Sequence, residues 1–198
     1  MTLDQIYSGL QTKKVGVAGC GGLGSNCAVA LARVGVGALV IADFDIVSLP
    51  NLNRQYYFMD QVGMKKTSAL MANIQRINPK VTVFSHDVRL TKDNITSLFD
   101  GCDVIVEAFD LADQKEMLIE TVLTEMPEKP LVVGLGMAGW GMNNLIRSRR
   151  SDNIYICGDE VSEIGPELPP LAPRVGIVAN MQANMVLEIL LDSEMMNQ

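Results

Sequence analysis

Cysteine is scarce in this sequence, and the spacing of its few cysteines does not suit a zinc site. The 198 residues include Cys20, Cys27, Cys102 and Cys157, and no two of them form a Cys-x-x-Cys pair. Structural zinc is usually held by such pairs, so the sequence predicts that no zinc is bound. No secretory signal precedes these residues, and we therefore expect reduced thiols rather than disulfides.

Segments that would direct the chain into or across a membrane are also lacking. No apolar run approaches the roughly 20 residues that a bilayer-spanning helix needs. The first ten residues include Asp4 and no basic start, which is unlike a signal peptide. The sequence therefore predicts a cytoplasmic protein with no membrane partner.

Basic residues are also fewer than acidic residues. The chain has 16 Lys and Arg against 23 Asp and Glu, a formal net charge of −7, which argues against nucleic acid as a partner. Histidine and tryptophan occur once each. His86 is expected at a strand end on the surface, without a catalytic role. Trp140 lies between two glycines and is either a partner contact or, as we prefer, an anchor for its loop.

The composition that remains is that of a globular protein, with 48% hydrophobic and 20% charged residues. Short apolar strands alternate with helical segments from residue 15 to residue 133, which predicts a mostly parallel sheet covered by helices. We therefore predict an α/β fold, a Rossmann-like doubly wound sheet, with residues 1–198 as a single domain. The predicted strands are 15–18, 38–42, 81–84, 104–106 and 131–133. The predicted helices are 22–34, 63–78, 92–99 and 113–126.

The pattern changes after residue 134. Two polar-flanked strands, 143–148 and 153–157, predict a hairpin beside the sheet, which would form an antiparallel C-terminal extension. A proline-rich loop, 165–173, and a helix, 174–191, follow this hairpin.

The strongest motif is a glycine-rich turn between the first strand and the first helix. In Gly19-x-Gly21-x-x-Gly24, the glycines allow a tight bend, close approach of the backbone to a phosphate, and packing of helix on strand. Gly22 begins the helix, whose N-terminal N–H groups attract an anion. Asp43 ends the second strand at the distance along the chain at which an acid contacts a nucleotide ribose. The alternative is a glycine-rich turn with a structural role only. The strand, the helix and the acidic residue around the motif argue against it.

Three further side chains at strand ends suggest phosphate chemistry. Arg54 offers a planar fork and Lys66 a point charge, and both suit a triphosphate. Asp110 offers an oxygen ligand for Mg²⁺ that bridges phosphates. Cations on the phosphates and a metal on a carboxylate together indicate nucleotidyl transfer by in-line attack.

Each acidic or basic residue also has a structural alternative when it is taken alone. Asp43 and Asp45 are residue types that bond within their own turns. Arg54 and Lys66 would be ordinary solvated charges on a loop and a helix. Asp110 would be a suitable cap for the helix that follows it.

Several longer stretches resemble one superfamily. They are residues 19–24, 43–55 (DFDIVSLPNLNRQ), 62–66 (VGMKK), 77–79 (INP) and 107–110 (EAFD). Together they resemble the ubiquitin-activating-enzyme-like superfamily, and within it the ThiF/MoeB adenylyltransferases of sulfur-carrier proteins. The resemblance extends over residues 11–191, and its second stretch is long and unusual.

The resemblance implies a reaction and its partners. ATP and Mg²⁺ would be used to adenylate the C-terminal glycine of a small ubiquitin-like (β-grasp) sulfur carrier that ends in Gly-Gly, in thiamine biosynthesis. Asp110 would bind the metal, with Arg54 and Lys66 as the catalytic cations. The positions that match the family's nucleotide-binding residues are Gly19, Gly21, Gly22, Gly24, Asp43, Asp45, Asn51, Arg54, Gln55 and Lys66. A homodimer is also implied, with an interface that includes the segments 63–78 or 143–157.

The sequence departs from the family's pattern in three places. Leu111 replaces the Asn that usually follows Asp110, residues 1–14 contain no arginine-rich arm, and the zinc-binding cysteine pairs are absent. We therefore expect a shortened member that retains adenylation, with Cys157 as an ordinary cysteine rather than a transfer thiol. Two alternatives are an NAD(P)-binding Rossmann oxidoreductase and the non-catalytic half of an activating enzyme. The combination of Arg54, Lys66 and Asp110 argues against both.

Overall fold

The computed structural model describes the backbone of residues 1–195 and the side chains of residues 1–191. The end of the predicted domain, residues 196–198, lies outside the described residues. The strands are β1 (Lys14–Ala18), β2 (Ala38–Asp43), β3 (Thr82–Asp87), β4 (Val104–Glu107), β5 (Leu131–Gly134), β6 (Arg147–Ser151) and β7 (Ile154–Gly158). The α-helices are α1 (Leu3–Leu10), α2 (Gly22–Val34), α3 (Lys66–Ile77), α4 (Lys92–Phe99), α5 (Ala112–Glu125) and α6 (Ala172–Met195).

These strands form one sheet in the order β3-β2-β1-β4-β5-β7-β6. The pairings from β3 across to β7 are parallel, and β6 alone runs antiparallel, on β7. The chain adds strands outward from β1 to β3 and then crosses to β4 on the other side of β1. The predicted doubly wound α/β sheet is confirmed, and its strand order reverses between β1 and β4, where such sheets bind ligands.

Helices cover both faces of the sheet, which explains why its central strands are mostly apolar. Every residue of β4 and β5 is buried, as expected for parallel strands packed on both faces. One core cluster includes Leu31 of α2, Ile74 of α3 and Val178 of α6. The cluster on the opposite face includes Phe99 of α4 and Leu118 of α5. Both faces of the sheet are thereby covered, and its carboxyl edge is left open between the helices.

The predicted antiparallel C-terminal extension is confirmed, and the hairpin continues the sheet itself. Strand β7 pairs with β5, and β6 extends the same sheet as its outer edge. The first strand begins later than expected, at Arg147, since Asn143–Leu145 is a 3-10 turn. All of β6 is exposed, and its arginines are typical of an edge strand that resists pairing with other chains.

Two other differences are small. Helix α3 begins at Lys66 rather than at residue 63, because Gly63 has a left-handed backbone (φ 91°) and Lys65 bridges to Ile46. Helix α6 is longer than predicted at both ends. Within the described part of the chain, no helix is both long enough and apolar enough to cross a bilayer.

Candidate active site

A cavity of about 470 Å³ opens at the carboxyl ends of β1, β2, β3 and β4. This volume is in the range of sites for small molecules and cofactors. The charged and amide side chains that line it are Asp43, Asp45, Arg54, Gln55, Lys66, Arg89, Asp110 and Gln114. The structure therefore brings together most of the side chains that the sequence singled out.

The glycine-rich turn forms one wall of this cavity. Gly19 has a φ of 97°, and a Cβ there would lie 2.9 Å from the carbonyl oxygen of Ala108. A Cβ on Gly24 would overlap the carbonyl oxygen of Gly19. At Gly21, by contrast, the nearest heavy atom to an added Cβ would be Nε2 of Gln55, at 3.9 Å. Packing within the protein explains the first two glycines, whereas Gly21 lines the cavity and faces open space.

Asp43 holds the glycine-rich turn and the loop after β2 together. Its Oδ2 accepts a hydrogen bond from the Cys20 backbone N–H (2.7 Å), and its Oδ1 accepts one from the Asp45 backbone N–H (2.8 Å). The structural alternative, in which Asp43 accepts a hydrogen bond within its own turn, is therefore observed. It does not exclude a ribose contact, because a carboxylate has further lone pairs and Asp43 lines the cavity.

Lys66 is a buried residue rather than a solvated surface lysine. It is the first residue of α3 and is 6% exposed. Its Nζ lies 2.8 Å from Oδ2 of Asp45, and its backbone N–H donates to the Asp45 carbonyl oxygen at 2.9 Å. Asp45 therefore fixes the ammonium group at the cavity wall, and an ammonium with three protons has others to offer an anion.

Arg54 and Gln55 lie side by side at the cavity wall. Arg54 donates through Nη1 to Oδ1 of Asn53 (2.8 Å) and, less closely, to the Pro50 carbonyl oxygen (3.4 Å). No acidic side chain pairs with Arg54 among the described residues. Gln55 is 8% exposed, and its buried Oε1 has no hydrogen-bond partner in the described part of the chain. A free cation and an unsatisfied amide at a cavity wall are groups that a polar ligand would bind.

Gly24 lies outside the cavity lining, and so does a second predicted site residue, Asn51. Its Oδ1 accepts a hydrogen bond from the Ser48 backbone N–H (3.0 Å), which closes the 3-10 turn Leu49–Asn53. That turn leads directly into Arg54 and Gln55. Asn51 therefore supports the segment that carries them, and its contact with phosphate stays a prediction.

The segment after β4 carries an exposed carboxylate, Asp110, and β4 itself ends in a buried carboxylate, Glu107. Asp110 is exposed, lines the cavity, and makes no hydrogen bond or ion pair with the described residues. It does not cap α5, whose N-cap residue is Leu111. Behind it, the fully buried Glu107 accepts a hydrogen bond from the Phe109 backbone N–H (2.8 Å) and pairs with Lys115. Glu107 thus fixes the turn that presents Asp110.

Sequence reasoning missed the side chains that follow β3. Val88, Arg89 and Leu90 line the cavity, and the guanidinium carbon of Arg89 lies 4.2 Å from the ring centroid of Phe44. A signal was available, because β3 was predicted to be parallel to its neighbours and its carboxyl end must reach the same edge. This end of the cavity is largely apolar and suits a flat ring.

The acidic residues suit a metal that is held jointly with a substrate. The described residues contain no group of three or more His, Cys, Asp or Glu that would hold a metal by themselves. Mg²⁺ is commonly bound by one or two carboxylates together with substrate phosphates and water. Asp110 fits that pattern, since its carboxylate is unpaired and faces the cavity.

The structure also bears on two single residues. Trp140 is 66% exposed, so the preferred interpretation as a loop anchor is wrong. Arg174 holds that loop instead: it is 2% exposed, donates to the Gly141 carbonyl oxygen and pairs with Asp159. Cys157 is fully buried at the end of β7, and burial raises its pKa to about 12, which disfavours the reactive thiolate.

Comparison with known proteins defines the class to which the chain belongs. A sequence profile of the ThiF family matches residues 4–198, and the chain is a member of that family.

Among its relatives, the "Molybdopterin-synthase adenylyltransferase" of Salmonella typhimurium is 31% identical over 186 residues, which cover 91% of this chain and 74% of the relative. The "Adenylyltransferase and sulfurtransferase MOCS3" of Anopheles gambiae is 28% identical, and the match covers 93% of this chain but only 43% of that protein. Among solved structures, the tRNA N6-threonylcarbamoyladenosine dehydratase TcdA of E. coli, in complex with ATP, superimposes with a TM-score of 0.88. The match covers 98% of this chain and 92% of TcdA at 22% identity, which supports the fold.

Proposed function

We propose that this ThiF-family adenylyltransferase uses ATP to activate the C-terminal glycine of a small β-grasp carrier protein that ends in Gly-Gly. The relatives named above are adenylyltransferases, one of them for molybdopterin synthase. The observation that carries the proposal is the composition of the cavity. It combines the cations Arg54 and Lys66 with the open carboxylate of Asp110 around one glycine-rich turn.

The lining suggests how ATP lies in the cavity. The adenine ring fits the apolar end beside Phe44 and Leu90, and the ribose lies near Asp43, at the end of β2. The phosphates then lie over the glycine-rich turn, within reach of Arg54 and Lys66. The dehydratase TcdA, which has the same fold, has been solved with ATP and with AMP.

The reaction needs orientation and charge neutralisation rather than a protein nucleophile. A carboxylate oxygen of the carrier bonds to the α-phosphorus, and the bond from that phosphorus to the oxygen bridging the β-phosphate breaks, which releases pyrophosphate. Arg54 and Lys66 neutralise charge on the departing pyrophosphate, and the turn holds the α-phosphate in line with the attacking oxygen. Mg²⁺ held by Asp110 and the phosphates would supply further positive charge between the two anions.

The cavity is less suited to the alternative oxidoreductase activity. Arg54 has no acidic partner among the described residues, and Lys66, although paired with Asp45, keeps further protons to donate to a triphosphate. A nicotinamide enzyme has no need of these groups and usually carries an acid or base over the ring. The oxidoreductase alternative therefore predicts that the protein binds NAD(H), whereas our proposal predicts that a titration with NAD(H) shows no binding.

The pathway is a separate part of the proposal. We propose thiamine biosynthesis on the basis of the sequence resemblance, whereas the name of the 31% identical relative points to molybdopterin synthase. We also propose a homodimer, which light scattering at micromolar concentration would test. The protein is proposed to bind no zinc, and elemental analysis of purified protein would test that.

Carrier-dependent exchange of labelled pyrophosphate into ATP is the decisive experiment. The protein should catalyse exchange only when a Gly-Gly-tailed β-grasp protein is present, and the same carrier without its last glycine should support none. A thiamine-type and a molybdopterin-type carrier, assayed in parallel, would identify the pathway. Absence of exchange with every such carrier would refute the proposed function.

A further inference from the structure

A buried tyrosine contacts the glycine-rich turn from behind. Tyr57 is 6% exposed, and its hydroxyl donates a hydrogen bond to the carbonyl oxygen of Cys20 at 2.7 Å. The same hydroxyl lies 3.4 Å from the carbonyl oxygen of Lys66. Cys20 stands between Gly19 and Gly21, in the middle of the turn. One phenol therefore links the turn to the first residue of α3.

The peptide groups on both sides of Cys20 are held by side chains from elsewhere in the chain. Its backbone N–H donates to Oδ2 of Asp43, and its carbonyl oxygen accepts from Tyr57, each at 2.7 Å. Its own side chain is fully buried. The orientation of this residue is thus fixed at three points, although its glycine neighbours are the most flexible residue type.

A fixed orientation matters because of what the turn must present. To bind phosphate, backbone N–H groups of the turn have to point into the cavity and the carbonyl group of Cys20 has to point away. A loop that is held in this geometry before the ligand arrives does not lose conformational entropy when the ligand binds. Tyr57 supplies that constraint without touching the ligand, since it is not among the residues that line the cavity.

We propose that Tyr57 is a positioning residue for the nucleotide, whose hydroxyl fixes the Cys20 carbonyl group and so preforms the glycine-rich turn for phosphate. The inference rests on the proposed ATP-binding function and adds a residue that the family motif does not single out here. Tyr57 follows Arg54 by three positions and precedes Lys66 by nine. The segment that supplies both cations therefore also holds the turn on which the phosphates lie.

The hydroxyl, rather than the ring, carries this function. Phenylalanine would fill the same space but would leave the Cys20 carbonyl oxygen without its donor in a buried environment. Burial also raises the pKa of Tyr57 well above its ordinary value, so the phenol keeps its proton and remains a donor. Removal of the one oxygen atom is therefore a clean test.

The test compares Tyr57→Phe with Tyr56→Phe. Tyr56 is the adjacent tyrosine, and its hydroxyl accepts a hydrogen bond from Arg33 at the surface (3.2 Å), remote from the turn. For Tyr57→Phe we expect ATP to bind about 10-fold more weakly by calorimetry, as for loss of one buried hydrogen bond. The KM for ATP in the exchange assay should rise by a similar factor while kcat stays within about 2-fold, because the turn contributes to ground state and transition state alike.

Further readouts separate positioning from a general structural role. Tyr56→Phe should match the wild type in both assays. Substitution of Tyr57 by 4-aminophenylalanine, which keeps a donor at the same place, should restore ATP binding to within about 3-fold of the wild type. A Tyr57→Phe variant that melts at a lower temperature but binds ATP with wild-type affinity would overturn the inference.

The outcome also distinguishes this inference from the proposed function. If the wild-type protein binds ATP and Tyr57→Phe binds it equally well, only the positioning role is wrong. If the wild-type protein binds no ATP at all, the proposed function fails and the role of Tyr57 fails with it.

Discussion

On the side of the cavity formed by β2 and α3, charged side chains face the space where a ligand would lie. Asp45 and Lys66 pair at the wall, and Asp45 remains half-exposed. Near the ends of β7 and α6, outside the cavity lining, charges face each other in the interior instead. The side chains of Asp159 and Arg174 are only 1% and 2% exposed. Pairs of an acidic and a basic side chain thus occur near one edge of the same sheet in two very different environments.

The difference shows that the surroundings of a charged side chain, either the cavity or a buried partner, separate the two functions of charge in this protein. The second pair holds loops: Oδ1 of Asp159 accepts from the backbone N–H groups of Val161 (2.9 Å) and Ser162 (2.8 Å), and Arg174 donates to the Gly141 carbonyl oxygen. Such a pair is costly to break, because it leaves an uncompensated buried charge. Substitutions should therefore divide into those that lower stability and those that lower activity.

The largest effect is expected from Asp159→Asn, and it should be on stability. Loss of the charge leaves Arg174 buried without a counter-ion, which should lower the free energy of unfolding by about 3–5 kcal/mol at pH 7. The affinity of the folded protein for ATP should change little. Urea unfolding and calorimetry would measure the two quantities. Glu163→Gln, an exposed carboxylate in the same loop, is the control and should change neither.

The pH dependence of that stability difference follows from the pKa of Asp159. Burial alone would raise this pKa, but hydrogen bonds from Ser162, Val161 and Arg174 outweigh burial and lower it from 3.8 to about 2. Because the folded-state pKa is depressed, the stabilisation is present above about pH 4 and is lost as the pH falls towards 2. The difference between wild type and Asp159→Asn should be constant from pH 7 to 5 and shrink below pH 4. A difference that shrinks as the pH rises would contradict this assignment.

Asp110→Ala should show the opposite behaviour, with lost activity and unchanged stability. The carboxylate is exposed and unpaired, so its removal breaks no described contact. Carrier-dependent pyrophosphate exchange should fall by about 10²-fold or more, as for loss of a preorganised electrostatic group, while ATP binding stays measurable. Asp113→Ala, at the start of the same helix but outside the cavity lining, is the matched control. Normal exchange by Asp110→Ala would refute the metal-binding role.

Arg54→Ala should have a smaller effect on activity and again little effect on stability. Loss of charge-assisted contacts to phosphate should reduce ATP use by about 10-fold or more. Arg54→Lys should also be impaired, since a lysine cannot make the planar two-point contact. Arg76→Ala, an exposed arginine near the end of α3, serves as control. If activity and melting temperature fall in proportion for Arg54→Ala, the residue is structural rather than catalytic.

The features of the fold and of the site that depend on local sequence could be predicted. The bounds of α2 and α4 agree with the prediction, because glycines flank the first and Thr91 precedes the second as its N-cap. The glycine-rich turn and Asp43 could also be placed, since the strand, turn and helix that define them are contiguous.

The remaining parts depend on contacts between distant segments. Asp159 and Arg174 are 15 residues apart, and neither forms a motif that marks them as a pair. The position of β7 beside β5 required knowledge of which strand edge was free. The exposure of Trp140 could not be predicted because its loop is held by Arg174 of α6 rather than by its own ring. The contact between Tyr57 and Cys20 could not be predicted either, because the two residues are 37 positions apart along the chain.

The smallest effect is expected from Cys157→Ala, which tests whether the buried end of β7 has any part in the chemistry. The thiol is fully buried, and with a pKa raised to about 12 it is almost entirely protonated at neutral pH. It is therefore a poor nucleophile for a carrier's acyl-adenylate. Pyrophosphate exchange should stay within about 2-fold of the wild type, and the free energy of unfolding should fall by about 1 kcal/mol through the small cavity left behind.

Cys102→Ala is the matched control, because Cys102 is equally buried on the opposite face of the sheet and burial raises its pKa to about 12 as well. The two variants should behave alike, since both thiols only fill space. Intact mass spectrometry of a reaction mixture should detect no covalent adduct between the protein and its carrier. A loss of transfer confined to Cys157→Ala, or an adduct at Cys157, would show that β7 opens to expose this thiol. A buried residue outside the cavity lining would then take part in the chemistry, contrary to the contrast described above.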